Sequence, residues 1–119
     1  MGLSGVYRSR LEIRRLAAEW RYWCSRIGEA ARNIFADCRV YVFGSVVRGE
    51  ETGGSDVDIL LVCKTLPESM KERGELKAKL EEVAGLPLYH PFEIHLATEQ
   101  EVLSNPVYRS ALREAVEIQ

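Results

Sequence analysis

The chain lacks most of the features that mark a metal-finger, disulfide-rich or membrane-spanning protein. Its three cysteines, Cys24, Cys38 and Cys63, are odd in number and show no C-x-x-C spacing. That excludes the usual zinc spacings and a disulfide framework, so all three read as free core thiols. No run of 18 apolar residues and no signal-like N-terminus occurs, and the expectation is a soluble, cytoplasmic protein with no membrane span. With four prolines and nine glycines there is no flexible linker, low-complexity tract or internal repeat. Residues 1–119 therefore read as a single domain with one core.

Basic charge is also missing overall: the net charge is −2, which argues against general nucleic-acid binding. The balance is uneven, however. Residues 1–49 carry nine Arg against four Asp and Glu, whereas residues 50–119 carry seven Lys and Arg against fourteen Asp and Glu. The basic half suits a solvated helix face, with attraction for a triphosphate or an acidic partner as the sharper reading. Trp20 and Trp23 fall in an apolar stripe and read as core or as a subunit contact rather than as a platform for stacking bases.

The apolar pattern predicts the elements. Ile13, Leu16, Trp20, Trp23, Ile27, Ala31 and Ile34 recur at helical spacing, giving one long helix over residues 7–36. Residues 39–43 form a short strand that stops at Gly44, followed by a turn or brief helix from Ser45 to Gly49 and a loop through ETGGS. Residues 57–63 are an almost unbroken apolar run, the mark of a central strand covered on both faces. A charged helix runs on to about Val83 and ends at Gly85-Leu86-Pro87. Residues 92–96 alternate, with Phe92, Ile94 and Leu96 on one face and Glu93 and His95 on the other. Thr98 to Glu101 reads as a capping box. Asn105-Pro106 reads as a second helix start, with a helix to about Glu117. The expected fold is α/β (α+β): a small mixed sheet flanked by helices.

What the chain does contain is concentrated in residues 43–62, FGSVVRGEETGGSDVDILLV. Gly44-Ser45 forms a turn whose backbone N–H groups and hydroxyl suit phosphate oxygens. Ten residues later Asp56 and Asp58 open an apolar strand. Positions i and i+2 share a strand face, so their carboxylates converge, and such hard oxygen donors suit Mg²⁺ bound together with substrate phosphates. Arg48 is placed to pair a phosphate oxygen bidentately. Ser55 caps the loop ahead of Asp56 and is counted with Gly44, Ser45 and Arg48 among the candidate nucleotide-binding residues. Glu93, an acid inside an otherwise apolar strand, is the candidate third metal ligand or proton acceptor. His95 shares its face and reads as structural. Other D-x-D patterns fit worse. Counting from Asp56, an EF-hand would need Gly and Glu where Leu61 and Pro67 stand, and no P-loop motif is present. Haloacid-dehalogenase-like phosphatases place D-x-D after the apolar strand rather than before it.

The arrangement G-S, ten residues, D-x-D between apolar strands resembles the DNA polymerase β-like nucleotidyltransferase superfamily. The form GSxxRGExxxxSDVDILLV is similar to its minimal nucleotidyltransferase (MNT) branch, which includes the antitoxin partners of HEPN-domain toxins. The resemblance implies a nucleotidyltransferase fold and Mg²⁺-dependent transfer of NMP from a nucleoside triphosphate, ATP being the expected donor, to an acceptor hydroxyl. It further implies Gly44, Ser45 and Arg48 at the triphosphate, and two Mg²⁺ ions, with Mn²⁺ as a substitute, held by Asp56, Asp58 and Glu93. The acceptor platform would come from a second copy in a homodimer or from a HEPN-domain protein. Two departures stand out: Val46 replaces an Arg frequent in relatives, and Glu93 replaces an Asp. With Val46 changed, Lys64 or a partner is the expected substitute grip on phosphate. The rival reading is a non-catalytic binding module that neutralises a partner protein by complex formation. An aminoglycoside adenylyltransferase fits less well, because such enzymes carry an added acceptor-binding domain.

Overall fold

Alternation of buried positions along the strands explains the architecture. The computed structural model describes residues 2–49 and 56–118. Helices α1 (Gly2–Ala18) and α2 (Trp20–Ile34) are followed by strands β1 (Cys38–Phe43) and β2 (Val57–Cys63). Then come α3 (Met70–Ala84), β3 (Phe92–Thr98), α4 (Glu99–Ser104), α5 (Pro106–Glu114) and β4 (Val116–Ile118). The sheet order is β3-β2-β1-β4. β2 runs parallel to β3, and β1 is antiparallel to both β2 and β4. The mixed sheet matches the expectation, and β2 is internal to it.

One sheet face carries Val40 and Val42 of β1, Val57, Ile59 and Leu61 of β2, and Phe92 and Ile94 of β3. It packs with Trp20, Cys24 and Ile27 of α2 and Leu80 of α3 into the main core. The other face carries Leu60, Val62 and Ala97, closed by Val102, with Tyr108 and Leu112 of α5 packed against them. This second cover reaches only part of the sheet. Asp58, Glu93 and His95 occupy the same face at the end where β2 and β3 begin.

Four expectations change. The single helix over 7–36 is two, because Glu19 leaves helical geometry at φ −98°, ψ 28°. Its N–H still reaches the carbonyls of Arg15 and Leu16, so the break is a one-residue bend, without Pro or Gly. Across it Leu16, Ala17 and Trp20 are all buried, a wider arc than one straight stripe covers. The helix expected to reach Glu117 stops at Glu114, and Val116–Ile118 pairs with β1 as an edge strand. Three residues are too few for period-two alternation to be recognised. β3 extends to Thr98, two residues past the expected end. Finally, Cys38 and Cys63 are not free thiols: they form a disulfide. They face each other in the β1–β2 register, a proximity that only strand pairing creates. Cys24 is the free one, fully buried, its thiol pushed up to about 12 by desolvation.

The expected caps are present. Thr98 Oγ1 accepts the Glu101 N–H at 3.1 Å, and Glu101 Oε1 accepts the Thr98 N–H at 2.8 Å. Asn105 Oδ1 accepts the Val107 N–H at 2.9 Å, with Pro106 opening α5. α3 ends on Gly85 in the left-handed region at φ +75°, where a side chain is strained. A Cβ there would also come within 3.0 Å of the Arg26 guanidinium. That guanidinium donates through Nε to the Ala84 carbonyl at 2.9 Å, tying α2 to the end of α3. No helix among the described residues is long and apolar enough to cross a membrane.

Candidate active site

The site is assembled where β1 ends and β2 and β3 begin. Antiparallel pairing sets Phe43 opposite Asp58, and parallel pairing sets Asp58 opposite Glu93. Register alone thus places two carboxylates from segments 35 residues apart side by side on the partly open face. His95, two residues on, points to the same side. Asp58 and His95 are each 30 % exposed, and Glu93 is half exposed. Among the described residues, one donor atom from each of Asp58, Glu93 and His95 falls within 4.8 Å of the others.

Gly44 leads the turn out of β1 at φ +92°. A Cβ at this position would lie 2.7 Å from Asp58 Oδ2, so glycine is needed both for the backbone conformation and for the carboxylate's approach. The turn winds on through N–H donors at Val47 and Arg48 to the carbonyls of Gly44 and Ser45. Val46 is buried in the main core. The position at which the sequence resemblance leads one to expect Arg packs here into the core. Lys64 does not replace it: it lies beyond the other end of β2, roughly 20 Å along the strand at about 3.3 Å per residue.

Two hollows are lined by neighbours of Asp58, one by Gly44 and the other by Glu93. One, of about 470 Å³, lies between the turn and α5 and is lined by Gly44, Arg48, Pro106, Ser110 and Glu114 among others. Arg48 Nη1 donates to Glu114 Oε2 across it at 3.1 Å. Both side chains are well exposed, so the pair contributes little to stability and a phosphate can compete for the guanidinium. The other hollow, of about 280 Å³, is lined by Asp56, Lys77, Glu81, His90 and Glu93. Asp56 thus stands with Glu93 at the rim but outside the tight group of three donors. Ser55 lies outside the described residues. A third hollow, of about 910 Å³, is at the far ends of β2 and β3, lined by Lys64, Arg73 and Thr98 among others. It shares no residue with the acidic group.

The electrostatics are those of crowded acids. Burial raises the Asp58 carboxyl above the usual carboxylate range; Glu93 and Asp56 push it further, against the opposing pull of His95. A divalent cation would relieve this repulsion. The donor set fits one: carboxylate oxygens and an imidazole nitrogen, converging and partly open to solvent. Asp58 and Glu93 are brought together, Gly44 adjoins Asp58, and Asp56 is near enough to act on Asp58 but is not in the three-donor group. Sequence reasoning placed His95 on the correct face but left it outside the site, because a lone strand histidine carries no signal of its own. Lys77 and Glu114 had no signal at all, since they arrive on helices from elsewhere in the chain.

No curated protein matches the chain. In fold it is similar to a crystal structure, determined at 1.40 Å, of a protein from Sulfolobus solfataricus provisionally named a nucleotidyltransferase. The two are 22 % identical with a TM-score of 0.56, over 93 % of this chain and 83 % of that one. The family model described as a nucleotidyltransferase domain matches residues 24–118, a span that contains most of α2, the whole sheet, the Gly44 turn and every carboxylate of the site. With that match joined to a sheet that sets its acids beside a glycine turn, the chain belongs to the nucleotidyltransferase domain family.

Proposed function

We propose that this chain transfers a nucleoside monophosphate from a nucleoside triphosphate, ATP by preference, to an acceptor hydroxyl. The observation that carries the reading is the pairing of Asp58 with Glu93 in register beside the Gly44 turn. In this reading Asp58 and Glu93 hold divalent cations, with Asp56 completing the set at the rim. Bound cations supply charge neutralisation at the attacking and leaving oxygens of an in-line displacement. Gly44 and Ser45 receive the β- and γ-phosphates in the hollow that Arg48 lines, and Arg48 exchanges Glu114 for a phosphate oxygen. The acceptor oxygen forms its bond to the α-phosphorus as the bond to the β-phosphate bridge breaks. Pyrophosphate leaves, and the hydroxyl proton passes to a carboxylate of the cluster, Glu93 being the more exposed. Catalysis on this scheme is mainly positioning and electrostatics.

Glu93 is half exposed and Asp56 exposed, so the acceptor side is open. We place the acceptor on another chain, and a tyrosine of a HEPN-domain protein is the class that the sequence resemblance favours. The test incubates the protein with ATP labelled at the α-phosphate, Mg²⁺ or Mn²⁺, and a HEPN-domain partner. Label should move to the partner, and Asp58→Asn and Glu93→Gln should each cut transfer by at least about 100-fold. Tight partner binding with no transfer, unchanged in both variants, would instead establish the non-catalytic binding module.

A further inference from the structure

The donors gathered at Asp58 are not all oxygen. His95 Nε2 lies 3.9 Å from Asp58 Oδ1 and 3.9 Å from Glu93 Oε1. Both separations are too long for hydrogen bonds, so neither carboxylate claims this nitrogen. They match two donors sharing one ion. Ligands about 2.0–2.2 Å from a common cation stand roughly 3 Å apart at a right angle and just over 4 Å apart when opposed. The ring also lies beside two aromatic side chains, Phe43 and Tyr108, at 6.1 and 6.2 Å between centroids, contacts that restrict its rotation.

A nitrogen donor changes which ion the site favours. Mg²⁺ takes oxygen ligands and gives up water reluctantly, whereas imidazole suits first-row transition ions. We propose that His95 is a metal ligand which, with Asp58 and Glu93, makes this site favour a first-row transition ion such as Mn²⁺ over Mg²⁺. The inference rests on reading the Asp58–Glu93 pair as the cation-holding part of a nucleotidyl-transfer site. One nitrogen and two oxygens would leave further coordination positions open for phosphate oxygens. The other histidine makes an internal control. His90 accepts the Phe92 N–H through Nδ1 at 3.1 Å, so its Nε2 carries the proton and donates to Glu81 at 3.1 Å. Neither nitrogen of His90 is left to bind a metal.

Direct detection uses pulsed electron paramagnetic resonance on the untagged protein loaded with Mn²⁺, alone and with a non-hydrolysable ATP analogue. Histidine nitrogen coupling to Mn²⁺ is expected, and it should change frequency when histidine is labelled with ¹⁵N. It should persist in His90→Gln and vanish in His95→Gln. Equilibrium titration should show Mn²⁺ affinity falling about 10- to 100-fold in His95→Gln, with Mg²⁺ affinity changed less than about threefold. Bound Mn²⁺ without histidine coupling in the wild type would overturn His95 as a ligand and leave the nucleotidyl-transfer reading standing. The wild-type spectrum decides this even if the variant fails to fold. Absence of Mn²⁺ and Mg²⁺ binding, with the analogue present, would overturn both.

Discussion

At the scale of single residues, the site depends on a glycine as much as on its acids. Asp58 can stand where it does only because position 44 has no side chain: a Cβ there would meet its carboxylate at 2.7 Å. Gly44→Ala should therefore act twice. Holding an L-residue at φ +92° costs about 1–3 kcal/mol of stability, and the displaced Asp58 should lower Mn²⁺ affinity about tenfold or more. Chemical denaturation and metal titration of the same variant separate the two effects. A stability loss with unchanged metal affinity would show that Asp58 turns aside without consequence. Val46 belongs to the same scale. Where an arginine would extend toward phosphate, a buried valine anchors the turn, and Arg48 is a guanidinium that lines the Gly44 hollow.

At the scale of elements, the caps carry much of the definition. The Thr98–Glu101 box joins the end of β3 to the start of α4, and Arg73 of α3 reaches into it, with Nη1 2.9 Å from Glu101 Oε1. Thr98→Ala should cost about 1 kcal/mol, measured by urea denaturation. The Glu101 carboxyl is held below its ordinary range, first by the Thr98 backbone N–H and then by Arg73. A lowered folded pKa gives stability that is present above the unfolded value of 4.5 and lost as pH falls through the folded one. Glu101→Gln should thus be less stable than the wild type at pH 7, by under about 1 kcal/mol because the carboxylate is half exposed. The gap should narrow as the pH falls below 4.5 and through the lowered folded value. A gap that persists in acid would assign the loss to packing instead.

At the scale of the whole molecule, the sheet carries two loads at opposite ends. The beginnings of β2 and β3 carry the acidic group, while the Cys38–Cys63 bridge ties β1 to the far end of β2. The bridge closes a loop that includes the Gly44 turn and both aspartates. Its removal in Cys38→Ser/Cys63→Ser should lower stability by about 3 kcal/mol, read as a shift in melting temperature that dithiothreitol reproduces in the wild type. Cys24 should stay silent toward thiol reagents until unfolding, because burial keeps its thiol protonated and only the thiolate reacts. Rapid labelling of one thiol in the native oxidised protein would contradict this.

The chain alone determined whatever depends on neighbours in sequence. β2, the capping box, the Asn105-Pro106 helix start and the Gly44 turn are written in local pattern and local hydrogen bonding. The face shared by Glu93 and His95 follows from period-two alternation, and the pairing of a glycine turn with nearby aspartates was legible as a motif. What required tertiary structure was whatever depends on register. The meeting of Asp58 with Glu93, the bridging of Cys38 to Cys63, and the addition of β4 to the edge of β1 are strand-pairing events between distant segments. A shift of one residue would reverse each of them, since alternate residues face opposite sides. Register is set by burial over the entire sheet, which no single segment encodes.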